Sequence, residues 1–122
     1  MTSMDRKALI QQYKNTRRPI GVFRIRNKVD DRSFVVSSVD VPSAHNRHRA
    51  QLKGGVHANR SLQADWDRLG GDAFEFETLD LLSPGKEPDW DPTDDLRVLE
   101  LLWLEKLSPF GPRGYNTEPK RS

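Results

Sequence analysis

Two short apolar segments flanking a polar turn constrain this chain more than any other feature. Gly21-Val-Phe-Arg-Ile-Arg-Asn27 alternates apolar and polar residues, and Ser33-Phe-Val-Val-Ser-Ser38 is β-branched and aromatic. Between them, Lys28-Val-Asp-Asp-Arg32 is a polar, Asp-containing turn. This pattern reads as two strands of a β-hairpin. The rest of the chain determines what the hairpin is for.

Before the hairpin, residues 3–15 read as a helix. Ser3 can cap it, and Leu9, Ile10 and Tyr13 share a face. Arg17-Arg18-Pro19 ends it, because a residue preceding proline is pushed out of helical geometry. After the hairpin, Asp40 reads as an N-cap with Pro42 in the first turn of a helix over 41–53 that stops at Gly54-Gly55. That helix is polar nearly all round. It docks by Val41, Ala44 and Leu52 and turns His45, Arg47, His48 and Arg49 outward or into a cleft. Asn59 reads as the cap of a third helix, 60–69, whose core face is Leu62, Trp66 and Leu69. Residues 73–81 alternate as a third strand. A loop with Pro84, Gly85 and Pro88 leads to a last helix, opened by Asp91-Pro92 and running to about Leu107.

The order αββααβα is an α+β fold: a small three-stranded antiparallel sheet flanked by helices. Residues 1–19 are read as an N-terminal helix and linker, 20–116 as the domain, and 117–122 as a disordered tail.

At 122 residues the chain has room for one real core. It has no cysteine, so disulfides and thiolate metal sites are excluded. No apolar run reaches membrane-span length, and the amino-terminal residues lack a signal-peptide core. A cytoplasmic protein with no membrane partner is the expectation. The charge is unevenly placed: residues 1–70 carry 14 Lys/Arg against 6 Asp/Glu, and residues 71–122 carry 6 against 12. A basic half suits a polyanion; it equally suits a solvated basic surface facing an acidic one.

One residue is out of place. On a wheel of about 100° per residue starting at Leu96, Leu107, Trp103, Leu104 and Leu99 form an apolar stripe, and Glu100 falls near its middle at about 40°. Glu105 falls on the solvent side with Val98. An unpaired carboxylate on a core-facing stripe is costly. An arginine, a metal ion or an open cleft would each answer that need.

Taken together, these motifs resemble the GIY-YIG nuclease superfamily over residues 20–116, and more narrowly a group of short, stand-alone bacterial GIY-YIG-like proteins. Gly21-Val22-Phe23 stands where the family has Gly-Ile-Tyr, and Phe34-Val35-Val36 where it has Tyr-Ile-Gly. Gly55-Val-His-Ala-Asn59, Phe74-x-Phe-x-x-Leu79, Glu100-Leu-Leu-Trp-Leu and Tyr115-Asn116 match the later segments.

The resemblance implies a divalent-metal-dependent endonuclease, a hydrolase of DNA phosphodiester bonds using Mg²⁺ or Mn²⁺. It implies Glu100 as the metal ligand, His48 as a helix histidine near the active site and Asn116 as the terminal asparagine. The family's arginine position falls on Ala44, and Arg47, three residues on, is the expected replacement. Against ordinary catalysis stand Phe23 and Phe34, which lack the motif hydroxyls, and Val36, which replaces the motif glycine. Arg24, Arg26, Arg49, His57, Asn59 and Arg60 are the expected nucleic-acid-binding residues.

Three functions remain open from sequence. One is a nuclease in which Glu100, Arg47 and His48 act, His48 as base. Another is a nucleic-acid-binding module that kept the scaffold without the chemistry. The third is a protein-interaction or regulatory domain using the acidic loop 86–95 and Trp90.

Overall fold

The computed structural model describes residues 18–83, 85 and 89–118. The expected first helix and most of the expected tail lie outside these residues. Strands β1 (Gly21–Asn27) and β2 (Arg32–Ser38) form the antiparallel hairpin, with Phe23 opposite Val36 and Ile25 opposite Phe34. The second strand starts one residue earlier than its apolar content suggests, because Arg32 pairs with Asn27.

The turn is organised by Asn27, which is fully buried. Its Oδ1 accepts from the backbone N–H of Val29 at 2.9 Å and of Asp30 at 3.0 Å, the side-chain mimicry of a turn that asparagine performs well. Asp31 takes the left-handed conformation, with φ 55°, which aspartate tolerates better than most residues.

Strand β3 (Phe74–Leu81) pairs with the other edge of β1, giving the order β2-β1-β3 with both pairings antiparallel. The ladder is irregular where Val22 meets Asp80 and Phe23 meets Thr78. A Cβ on Gly21 would there collide with the Asp80 carbonyl oxygen and the Leu81 Cα. The motif glycine is thus required by backbone approach, not by its φ.

Helix α1 (Val41–Lys53) starts at Asp40, whose carboxylate accepts from Ser43 N–H, and ends at Gly54. Helix α2 (Arg60–Leu69) is capped by Asn59, whose side chain accepts from Leu62 N–H at 3.0 Å. Helix α3 (Thr93–Leu107) has Asp94 and Asp95 in its first turn and ends at Ser108 in the left-handed conformation. Trp90 donates to Asp95 at 3.2 Å, which ties the acidic loop to this helix. No helix among the described residues is long and apolar enough to cross a membrane.

Successive strand residues face opposite sides of the sheet, and the two sides have separate cores. Phe23 and Ile25 pack with Val41, Ala44, Leu52, Leu62, Phe74 and Tyr115 beneath α1 and α2. Val22 and Val35 pack with Leu96 and Leu104 of α3 on the other side. Full burial of side chains such as Phe23, Ile25, Leu52 and Leu62 contributes about 1.5–3 kcal/mol each.

Candidate active site

Three histidines lie over the hairpin on the α1 side. His45 and His48 point inward from α1, because they fall on the same stripe as Val41, Ala44 and Leu52. The His45 ring stands edge-on to Phe23 with centroids 4.4 Å apart, and His48 lies within about 6 Å of both Phe23 and Phe34. His57, from the loop between α1 and α2, is buried against Phe34. The motif position occupied by Phe23 is fully buried, and Phe34 is half-buried. Two rings that would carry hydroxyls in the family pattern instead form the apolar floor under the histidines. Val36, opposite Phe23, packs against the same core.

The loop holding His57 is anchored by side chains. His57 N–H donates to Gln63 Oε1 at 3.0 Å, and Gln63 Nε2 donates to the Leu52 carbonyl at 2.9 Å. Asn59 N–H donates to His57 Nδ1 at 3.0 Å, and His57 Nε2 meets His48 Nδ1 at 2.7 Å. Burial, then the neighbouring His57, Arg47 and His45, push the His48 pKa down to about 4. Burial also lowers His57, while burial and then Arg49 lower His45. His45 Nε2 is buried without a partner among the described residues.

Arg47 does not share the buried position of Ala44. Ala44 is buried in the core, whereas Arg47 is exposed, roughly 100° from the middle of the buried stripe. The residue that shares the surroundings of Ala44 is His48. Arg47 forms no ion pair among the described residues.

Several expected nucleic-acid contacts are engaged inside the fold. Arg24 pairs with Glu77 at 2.7 Å and Arg26 with Asp31 at 3.1 Å. Arg49 lies over the Phe76 ring at 4.5 Å. Asn59 caps α2 and donates through Nδ2 to the Tyr115 carbonyl at 2.7 Å. Arg60 is exposed and lines, with His57, Gly55 and Gln63, a surface hollow of about 440 Å³.

Glu100 lies on α3 among Leu96, Leu99, Trp103, Leu104 and Leu107, and is half-buried as the wheel requires. Among the described residues it makes no hydrogen bond or ion pair. Helices α1 and α3 cover opposite faces of the sheet. Accordingly, no direct contact joins Glu100 to Arg47 or His48. Asn116 is bound to the backbone of Val35 through both ends of its amide.

Sequence reasoning missed a buried polar group built on Asp65. The Tyr115 hydroxyl donates to Asp65 Oδ2 at 2.6 Å and accepts from Asn27 Nδ2 at 3.1 Å. Arg32 pairs with the same carboxylate oxygen at 2.9 Å and lies over the Tyr115 ring. Burial would raise the Asp65 pKa, but Tyr115, Arg68 and Arg32 hold it below the usual value. The signal was present: Asp65 falls about 40° from Leu69 on the wheel of α2, another carboxylate at the edge of an apolar stripe.

No family model and no curated protein sequence matches the chain. Solved structures do. The catalytic domain of homing endonuclease I-TevI superposes with a TM-score of 0.66 at 26% identity, covering 82% of this chain and 99% of that one. A glutamate-to-alanine mutant of the same domain, described as an intron endonuclease, gives 0.66 at 23% identity, covering 80% and 92%. With its hairpin, third strand and helices in this arrangement, the chain has the GIY-YIG fold, on the scaffold of a nuclease catalytic domain.

Proposed function

We propose that this protein is a divalent-metal-dependent nuclease acting on DNA phosphodiesters. The observation that carries the proposal is Glu100, a half-buried carboxylate on the sheet-facing stripe of α3 with no cation beside it among the described residues. Its carboxylate oxygens are not buried, so a hydrated ion can reach a carboxylate that has no charge partner among the described residues.

The donor set fits one kind of ion. Among the described residues no three or more His, Cys, Asp or Glu side chains are placed so that together they could hold a metal ion. A single carboxylate suits Mg²⁺ or Mn²⁺, because Mg²⁺ keeps several waters and binds through one or two carboxylates together with substrate phosphate. When bound, such an ion supplies Lewis-acid polarisation of a phosphoryl oxygen. Glu100 would hold it. Arg47, exposed and without a carboxylate partner among the described residues, would offset phosphate charge, and His48 would contact phosphate from the α1 side. Helix α3 packs on β2 and His48 packs on Phe34 of β2, so β2 is the strand that α3 and His48 have in common.

The test is purified protein with Mg²⁺ or Mn²⁺ on plasmid and branched DNA. Cleavage that disappears in Glu100→Ala supports the assignment, and cleavage that persists removes Glu100 as metal ligand. One observation favours a second reading. Phe23 is wholly buried and, like Phe34, has no hydroxyl with which to activate water. A nucleic-acid-binding module without catalysis is then expected to bind DNA with steep salt dependence and leave it uncut.

A further inference from the structure

We propose that His57 fixes His48 as a neutral imidazole whose Nε2–H is a hydrogen-bond donor aimed at a nucleic-acid phosphate oxygen, so that His48 serves as donor and not as base. The proposal rests on reading this surface as one that meets nucleic acid.

The argument begins at a backbone amide. Asn59 N–H can only donate, so His57 Nδ1, 3.0 Å away, must present its lone pair. A neutral His57 therefore carries its proton on Nε2. That Nε2–H lies 2.7 Å from His48 Nδ1, which must accept it. His48 is then left with its own proton on Nε2. The chain Asn59 N–H, His57, His48 runs in one direction. The backbone sets that direction, because reversing it would place two N–H groups face to face at His57 Nδ1.

Both ends of this relay are held in place. The His57 backbone is bound by Gln63, itself tied to Leu52 of α1, and Asn59 is the cap of α2. His48 Nε2 has no protein partner. Among the described residues only Arg32 Nε and His45 Nε2 are buried without one, so His48 Nε2 opens to solvent. A neutral donor at the end of an oriented chain matches an anionic oxygen. It has no lone pair with which to take a proton from water.

The groups facing His48 are consistent with its neutrality. His57 comes from the loop before α2, and His45 and Arg47 come from α1. The facing residues of β1 and β2, Phe23 and Phe34, carry no charge. No carboxylate is among these groups.

The experiment is long-range ¹H–¹⁵N correlation NMR of the full chain with ¹⁵N-labelled histidine. In the unaltered protein, His48 and His57 are expected as Nε2–H tautomers, with His48 neutral down to about pH 4. In His57→Phe, which keeps a ring against Phe34, His48 is expected to show mixed tautomers and a midpoint that rises only in part, because burial, the larger cause of its lowering, remains. His57→Gln, whose amide can still donate to His48 Nδ1, is expected to keep the Nε2–H form; this variant guards against misfolding of the first. Addition of a duplex DNA oligonucleotide should shift the His48 Nε2–H signal and slow its exchange. An Nδ1–H tautomer at His48 in the unaltered protein, or bound oligonucleotide with an unmoved Nε2 signal, overturns the proposal. Absence of oligonucleotide binding overturns both this proposal and the functional reading. Binding with the expected shift but without cleavage supports the donor role and overturns only the nuclease reading.

Discussion

Asn116 acts as a neighbouring strand for Val35. Its Oδ1 accepts from Val35 N–H at 2.8 Å and its Nδ2 donates to the Val35 carbonyl at 2.9 Å, so one side chain satisfies both outward-facing backbone groups of an edge-strand residue. The adjacent Tyr115 N–H donates to the Ser33 carbonyl at 3.0 Å. The carboxy-terminal segment thereby closes part of the β2 edge, which would otherwise present unpaired backbone groups.

Asn116→Ala should therefore lower stability by about 1–3 kcal/mol, the usual cost of leaving such groups without their partner. Asn116→Asp keeps the acceptor but sets a carboxylate against a carbonyl. It should be destabilised at neutral pH and partly recover at acid pH, where a protonated carboxyl can donate. Urea unfolding midpoints of the three proteins at pH 7 and pH 4 check this; equal midpoints would contradict the strand-mimic role.

Tyr115 gives a pH signature. Burial, reinforced by the hydrogen bond to Asp65, raises its pKa to about 12. The unfolded chain ionises its tyrosines near pH 10. The contribution of Tyr115 is thus fully present below pH 10 and is lost as pH rises from there through about 12. Tyr115→Phe should lower neutral-pH stability by about 1–2 kcal/mol and reduce the slope of melting temperature against pH in the alkaline range. Parallel alkaline slopes for the two proteins would count against the Asp65 bond.

Glu100 should be a residue that function retains against stability. Replacing a half-buried, unpaired carboxylate with Glu100→Leu is expected to raise stability by about 0.5–2 kcal/mol. It should also remove any stabilisation by Mg²⁺ or Mn²⁺. Thermal unfolding with and without each ion measures both effects. A destabilised Glu100→Leu protein would show that the carboxylate has a structural partner.

Gly21 carries a steric prediction. Because a Cβ there meets the β3 backbone at Asp80 and Leu81, Gly21→Ala should cost about 1–3 kcal/mol by overpacking, even though its conformation is open to any residue. Denaturant titration measures the loss; a neutral substitution would mean that β3 can retreat at the bulge.

Local chemistry decided most of the architecture. The caps Asp40 and Asn59, the glycines after α1 and α2, and the period-two alternation of the strands act over a few residues, so the elements could be located from sequence to within a residue or two. The apolar stripe of the last helix likewise placed Glu100 on the sheet-facing side. Tertiary packing decided what no local pattern encodes. It put α1 and α3 on opposite faces of the sheet and separated Glu100 from His48. It sealed Phe23 in the core and turned His48, not Arg47, toward the hairpin. It brought Asn59, His57 and His48 into one directed chain, and Asn27, Asp65 and Tyr115 into another. Those contacts depend on where side chains from distant segments meet, and on which backbone groups remain for them to satisfy. Periodicity assigns a side chain to a face, but only the assembled sheet determines what it meets there.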